Sequence, residues 1–293
     1  MKVLIFGATG MLGSSISREY SRDKSFKVFA VVRSDINLIN FKRFAPGVRI
    51  IRFNDFNSKD DLKKLIGEIK PNIIFNCLGV IKQKIKNDIS VSDLYFYNSY
   101  FPKMISYLIP IDCSLVHFST DCVFSGNKGN YTETDFPDPV DDYGYSKYYG
   151  EIAQENCVTI RTSIIGHGLL PNSSLIDWFL AQNNECYGYI NAIYSGFPTN
   201  VLAKIIKDNL FKNGKLLING VFHLSSESIS KLKLLERVSN IYKHNINIIH
   251  DDKIQINRTL SCNLIKSKLN IKIPTWDEMI LDMYNDFTLK REC

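Results

Sequence analysis

The sequence predicts an α/β protein: a doubly wound parallel sheet with helices on both faces, completed by a smaller C-terminal lobe. Two observations carry this. Over the first 160 residues, apolar runs of strand length alternate with stretches of helical periodicity, the rhythm of right-handed βαβ units. The first run, Lys2-Val3-Leu4-Ile5-Phe6, passes directly into the turn Gly7-Ala8-Thr9-Gly10-Met11-Leu12-Gly13. With 293 residues, 45% of them hydrophobic and 23% charged, the chain can bury a full core.

The elements follow in order. A helical stretch runs from the glycine turn to about Tyr20, and residues 26–32 form the second strand, ending in Arg33-Ser34. Residues 48–53 are the third strand, with Asp55-Phe56 at its end; 60–69 have helical spacing; 72–77 form the fourth strand, closing on Leu78-Gly79. Residues 93–108 read as one aromatic-rich helix, with Tyr95, Phe96, Tyr97 and Tyr100 mostly in the core. Residues 115–118 are the fifth strand and deliver Ser119-Thr120-Asp121 to the carboxyl edge of the sheet, where open α/β sheets bind ligands. A loop rich in Gly, Pro and Asp fills 126–142, the next helix begins at Tyr143, and 158–162 form the sixth strand. Beyond it the rhythm loosens. Helical segments near 175–182, 199–211 and 228–244 surround a late strand at 221–224. We therefore divide the chain into a dinucleotide-binding domain carrying the catalytic residues (1–160) and a lobe that is mainly substrate-binding (161–293). Some elements of the lobe return to the main sheet.

Composition narrows the function. The formal charge of +6 is spread along the chain, with no recognition helix or aromatic-basic stripe, so no nucleic-acid partner is expected. Seven scattered cysteines without a CxxC pair argue against a disulfide framework and against a metal site. No apolar run approaches the ~20 residues of a membrane span. The opening apolar segment is too short for a signal peptide, so a cytoplasmic protein is expected.

The glycine turn carries the first chemistry. After an apolar strand, Gly7, Thr9, Gly10, Met11, Leu12 and Gly13 let the backbone and the following helix N-terminus approach a dinucleotide pyrophosphate. Asp55 and Phe56, then Cys77 and Gly79, stand at the ends of the third and fourth strands and are further cofactor contacts. Arg33 closes the second strand, where an acidic residue would bind the ribose hydroxyl of NAD. An arginine there pairs with the 2′-phosphate of NADP and favours NADPH. Lys82-Gln83-Lys84-Ile85-Lys86 reads as a solvated loop, with neutralisation of a substrate diphosphate as the alternative.

The second chemistry is Tyr143-Gly144-Tyr145-Ser146-Lys147. Tyr143 and Lys147 share a helix face, and an ammonium beside a phenol favours the phenolate, which makes Tyr143 a better proton donor. Thr120 supplies a second hydroxyl at the same point. With a nicotinamide nearby, the set reduces a ketone or oxidises an alcohol. Spacing alone is weak: Tyr20-Ser21-Arg22-Asp23-Lys24 has it too, and reads as surface at the end of the first helix.

These motifs, with Cys122-Val123-Phe124, Tyr131-x-Glu133 and Gly150-Glu151, resemble the extended short-chain dehydrogenase/reductases. Within them the chain is most similar to the dTDP-4-dehydrorhamnose reductase family, nearly end to end, through Arg161-Thr162-Ser163, Pro198-Thr199, Leu202-Ala203, Arg258 and Leu260. The resemblance implies a Rossmann fold, NADPH (some members accept NADH) and a nucleotide-linked 4-keto-6-deoxy sugar, in surface polysaccharide precursor synthesis. It implies Thr120, Tyr143 and Lys147 as the catalytic trio, with Tyr143 giving a proton as hydride reaches C4, Thr120 holding the oxygen, and Lys147 also gripping the nicotinamide ribose. Asp121, Cys122, Val123, Asn98, Ile164, Pro198, Thr199 and Arg258 are implied on the substrate side. The family's usual tyrosine is Cys122 here, its tryptophan is Ile164, and its Arg-Pro is Arg258-Thr259, which leaves the hexose open. Two other readings stay open: a nucleotide-sugar epimerase or dehydratase of the same fold, and a non-catalytic NADP-binding regulatory subunit. A homodimer, with the aromatic stretch 95–100 as its patch, fits the same fold.

Overall fold

The computed structural model describes residues 1–33, 38–81, 89–170 and 174–292. The first part of the chain runs β1 (Lys2–Phe6), α1 (Met11–Ser21), β2 (Lys27–Val32), α2 (Leu38–Phe44), β3 (Arg49–Arg52), α3 (Lys59–Ile69) and β4 (Ile73–Asn76). It continues with α4 (Val91–Tyr95), a π-helical turn (Phe96–Tyr100), α5 (Phe101–Leu108), β5 (Ser114–Thr120), α6 (Asp142–Tyr149) and β6 (Cys157–Thr162). Then follow β7 (Ile164–Ile165), α7 (Leu175–Leu180), β8 (Glu185–Tyr189), β9 (Ala192–Tyr194), β10 (Phe197–Pro198), α8 (Thr199–Asn209), β11 (Phe211–Lys212) and β12 (Lys215–Leu216). The last elements are β13 (Gly220–His223), β14 (Ile229–Ser230), α9 (Lys231–Tyr242), β15 (Asn247–Asp251), β16 (Ile256–Asn257), α10 (Asn263–Leu269) and α11 (Trp276–Glu292).

Seven parallel strands form the central sheet in the order β3-β2-β1-β4-β5-β6-β13. The chain reverses its direction of travel between β1 and β4, which opens a crevice beyond their carboxyl ends. Alternation along β1 builds both faces: Val3 and Ile5 pack with Ile16, Tyr20, Phe75, Leu202 and Ile206, whereas Leu4 and Phe6 pack with Leu62, Ile66, Phe101 and Ile105. Because both faces are covered, β4, β5 and β6 are buried at every residue, the polar Asn76, His117, Thr159 and Arg161 included. The lobe returns β13 to the sheet beside β6, with His223 opposite Arg161. The smaller pairings include β8 with β15, β9 between β14 and β16, and β7 with β10.

Three expectations change. The helix expected over 93–108 is broken by the π-helical turn, next to Pro102, which has no N–H to offer the Asn98 carbonyl. That carbonyl turns instead toward Gly150, where a Cβ would overlap it. Tyr100 is not core: the turn rotates it outward, leaving it 59% exposed. Tyr20 is not surface, because its ring meets Phe26 edge-on at 4.9 Å and Phe75 at 5.1 Å; of that stretch Arg22 and Lys24, beyond the end of α1, are exposed. The short helix α2 was not expected from the sequence. Among the described residues no helix is long and apolar enough to cross a membrane. Lys82-Gln83-Lys84-Ile85-Lys86 lies outside the described residues.

Candidate active site

The glycine turn is held by close backbone approaches. Gly7 has φ of 72°, and a Cβ on it would stand 2.6 Å from the backbone of Cys77 and Leu78, where β4 ends. A Cβ on Gly13 would lie 2.8 Å from the Gly7 carbonyl carbon, so this glycine lets α1 sit against β1. Gly10 caps α1 with no side chain to satisfy its first N–H groups, and the first turn holds no acidic residue. That combination leaves room and positive potential for a pyrophosphate. The side chain of Leu12 is buried in the core, and Thr9 and Met11 are half-buried beside the turn.

The other expected cofactor residues surround this turn. Arg33 is exposed at the end of β2, with Nη1 donating to Tyr97 Oη at 3.2 Å. Asp55 is exposed and its Oδ1 accepts from the N–H groups of Asn57 and Ser58. Phe56 is a core residue, edge-on to Phe6, Phe53, Tyr97 and Phe101, so only its backbone faces outward chemistry. Cys77 is half-buried after β4, its thiol pushed up by burial. Gly79 is exposed, and a Cβ there would lie 3.2 Å from Asn98 Oδ1 and 3.9 Å from Lys147 Nζ.

Thr120, Tyr143 and Lys147 converge at the carboxyl end of β5. Thr120 Oγ1 donates to Asp121 Oδ1 at 3.0 Å, accepts from Cys122 N at 3.1 Å, and faces the Tyr143 hydroxyl. Asp141 starts α6 by accepting from Gly144 N, and Gly144 has no room for a Cβ against Cys122 O and Pro139. Those contacts set Tyr143 against Thr120. Lys147 is buried and donates from Nζ to Phe118 O at 2.6 Å. Burial pushes the Lys147 amine down to about 8, against the upward pull of Glu151 and Cys77.

The phenol differs from expectation. Burial pushes the Tyr143 hydroxyl up, with Cys122, Asp121 and Asp141 adding to the rise and Thr120 opposing it; Lys147 is not among these leading causes. Tyr143 is thus held in its acid form. The spacing does place both side chains on one helix face, but Lys147 spends a proton on the β5 carbonyl.

The substrate-side residues divide. Arg258 reaches the site, with Nε donating to Phe124 O at 2.9 Å and Nη1 to Cys122 Sγ at 3.6 Å; burial raises the Asp121 carboxyl, with Thr120 and Arg258 pulling against the rise. Burial pushes the Cys122 thiol up to about 12. Ile164 is half-buried opposite Phe197, and Pro198 is buried opposite Ile165. Three residues are engaged within the protein. Val123 is fully buried with Phe124, Tyr131 and Leu260. Asn98 spends its amide on Val80 O, Val80 N and Ser146 Oγ, tying the end of β4 to α6. Thr199 Oγ1 accepts from Ser15 Oγ at 2.8 Å and so joins α8 to α1. The sequence reading missed Tyr194, whose buried hydroxyl lies beside Ser163 and Asp121. No spacing signals it, because β9 is brought in from the lobe.

A family model described as "RmlD substrate binding domain" matches residues 1–289. A dTDP-4-dehydrorhamnose reductase of Aggregatibacter actinomycetemcomitans is 27% identical over 240 residues, 77% of this chain and 74% of the relative. The methionine adenosyltransferase 2 subunit beta of Rattus norvegicus is 27% identical over 154 residues, which is 52% of this chain but only 42% of that protein. A crystal structure of the Bacillus anthracis dTDP-4-dehydrorhamnose reductase in complex with NADP shares the fold, with a TM-score of 0.76 at 19% identity, covering 97% of this chain and 99% of the other.

Proposed function

This chain belongs to the RmlD substrate binding domain family, and from that premise we propose that it is an NADPH-dependent reductase of a nucleotide-linked 4-keto-6-deoxy sugar. The coarser reading, an NAD(P)-dependent oxidoreductase acting on a sugar nucleotide, rests on the family and its reductase relative. The observation that carries the finer one is the meeting of Thr120, Tyr143 and Lys147 at the end of β5, next to an uncapped α1 N-terminus whose glycines leave space for a dinucleotide.

The dinucleotide fits this cradle. The Gly7–Gly13 turn would take its pyrophosphate, Arg33 its 2′-phosphate, and Lys147 its nicotinamide ribose. When bound, it supplies hydride. The chain's own residues do the rest. Tyr143, kept protonated by burial, donates its phenolic proton to the carbonyl oxygen as negative charge develops there. Thr120 Oγ1 orients that phenol and, by turning its one proton from Asp121 to the carbonyl oxygen, offers that oxygen a second hydrogen bond. Arg258, beside Asp121 and Cys122, holds the sugar or its diphosphate. Residues 161–293 serve mainly to close the substrate side. Precursor synthesis for a surface polysaccharide is the setting this chemistry fits. A homodimer belongs to the same reading, and sedimentation velocity checks it.

Oxidation of NADPH is followed by absorbance with dTDP-, UDP- and GDP-linked 4-keto-6-deoxy sugars in turn. Turnover with one of them, with NADH slower, is expected. NADPH that binds but is never consumed would return weight to a non-catalytic regulatory subunit, which the methionine adenosyltransferase likeness favours.

A further inference from the structure

Glu151 follows α6 by two residues, its N–H still donating to Tyr148 O at 3.1 Å. It therefore stands one turn beyond Lys147, and both side chains reach the same end of β5. Lys147 Nζ binds the Phe118 carbonyl, and Ser119 Oγ donates to Glu151 Oε1 at 2.7 Å. Arg161, opposite Ser119 on β6, closes on the same carboxylate through Nε to Oε1 and Nη2 to Oε2, both at 2.7 Å. Its side chain is 5% exposed and that of Glu151 7%. The remaining guanidinium nitrogen, Nη1, lies 3.2 Å from His223 Nε2. A guanidinium only donates, so Nε2 accepts and Nδ1 carries the ring proton, which it gives to Tyr131 O at 3.0 Å. Burial and Arg161 hold His223 down at about 4, so it adds no charge at neutral pH.

The charges do not balance pairwise. Two buried cations, Lys147 and Arg161, meet one carboxylate. The other groups around Lys147 are neutral at pH 7: Cys77 at the end of β4 and Tyr143 on α6 are pushed up by burial, and His117 on β5 is pushed well down. Asn98 in the π-helical turn is an amide. A lysine desolvated without an anion sheds its proton. A clamp between α6 and β6 would account for the two-pronged pair with Arg161. It would not require the carboxylate to stand over the lysine's end of β5 and to take the Ser119 hydroxyl as well.

We propose that Glu151 is a positioning residue of this site: its one carboxylate is the counter-charge of both Lys147 and Arg161, and its bond to Ser119 fixes the strand end that presents Thr120. The consequence for catalysis rests on the reading of Lys147 given above. The charge relation itself does not, so it is tested on the purified chain alone.

Lysine labelled with carbon-13 at Cε is titrated by NMR, with the Lys147 signal assigned by its loss in Lys147→Met. Glu151→Gln lowers the Lys147 midpoint by about one pH unit, a tenfold change in protonation. Arg161→Met, which removes the competing cation, raises it, and Glu151→Asp keeps the charge and restores the midpoint. Midpoints that stay in place, or that move the same way in Glu151→Gln and Arg161→Met, would overturn the proposal whatever happens to the melting temperature. Should Glu151→Gln fail to fold, the Arg161→Met and Glu151→Asp shifts decide it. NADPH affinity, read by fluorescence without sugar, should follow the same midpoints. Wild-type chain that binds no NADPH would break the proposed function and leave the Lys147 titration to judge Glu151.

Discussion

Tyr20 and Lys24 stand four apart, as do Tyr143 and Lys147, yet their surroundings differ. Tyr20 lies on α1 with its ring buried in the core against Phe26 and Phe75, and its hydroxyl meets no partner among the described residues. Lys24 falls beyond the end of that helix, in solvent. Tyr143 and Lys147 both lie on α6, and each finds a polar partner at the carboxyl end of β5: Thr120 for the phenol, the Phe118 carbonyl for the amine. Burial raises both phenols, so a shifted titration does not distinguish them. What distinguishes them is a hydrogen-bonding neighbour at the edge of the sheet where a ligand can enter.

The contrast can be broken at either end. The largest effect is on rate: Tyr143→Phe should lower turnover by about 10²- to 10⁴-fold, the usual worth of a general acid, with NADPH affinity retained. A variant within threefold of wild type removes Tyr143 from the role, and Tyr20→Phe should leave turnover unchanged. Next is cofactor affinity. Lys147→Met should weaken NADPH binding by about 10- to 100-fold, the loss of a charged hydrogen bond, while Lys24→Met leaves the fluorescence titration unaltered. The same contact has a pH signature. Lys147 is charged below about 8 and neutral above it, so affinity is present on the acid side and falls as pH rises through that value. Unchanged affinity across that interval would contradict the assignment. Smallest is a gain in stability. Tyr20→Phe removes a buried hydroxyl without a partner, and thermal melting should show about 1 kcal/mol of stabilisation.

The sequence made the backbone legible and left the side-chain directions hidden. All seven central strands, the late one at 221–224 included, and the turn from Gly7 to Gly13 show in it because strands covered on both faces carry apolar clusters and because close backbone approach tolerates only glycine. The pairing of Thr120 with Tyr143 followed from the same edge rule. The substrate side is different. Whether Val123 or Thr199 points to a ligand depends on packing that no local pattern records: Val123 turns into the Phe124–Tyr131 cluster, and Thr199 bonds to Ser15, 184 positions away. Tyr194 and His223 arrive on strands of the lobe, so neither stands near Asp121 or Arg161 in sequence. The effect of Lys147 on Tyr143 was misjudged for the same reason: spacing shows a shared face, but not that the amine reaches the Phe118 carbonyl.

The most direct measurement is the fate of a deuterium carried on the transferable position of NADPH, incubated with the sugar nucleotide that supports turnover. The account predicts one NADPH oxidised for each sugar, with the label found by NMR at C4 of the product and both events lost in Tyr143→Phe. Sugar converted without net NADPH loss, or product carrying no label at C4, would contradict a reductase and point to an epimerase or dehydratase of the same fold.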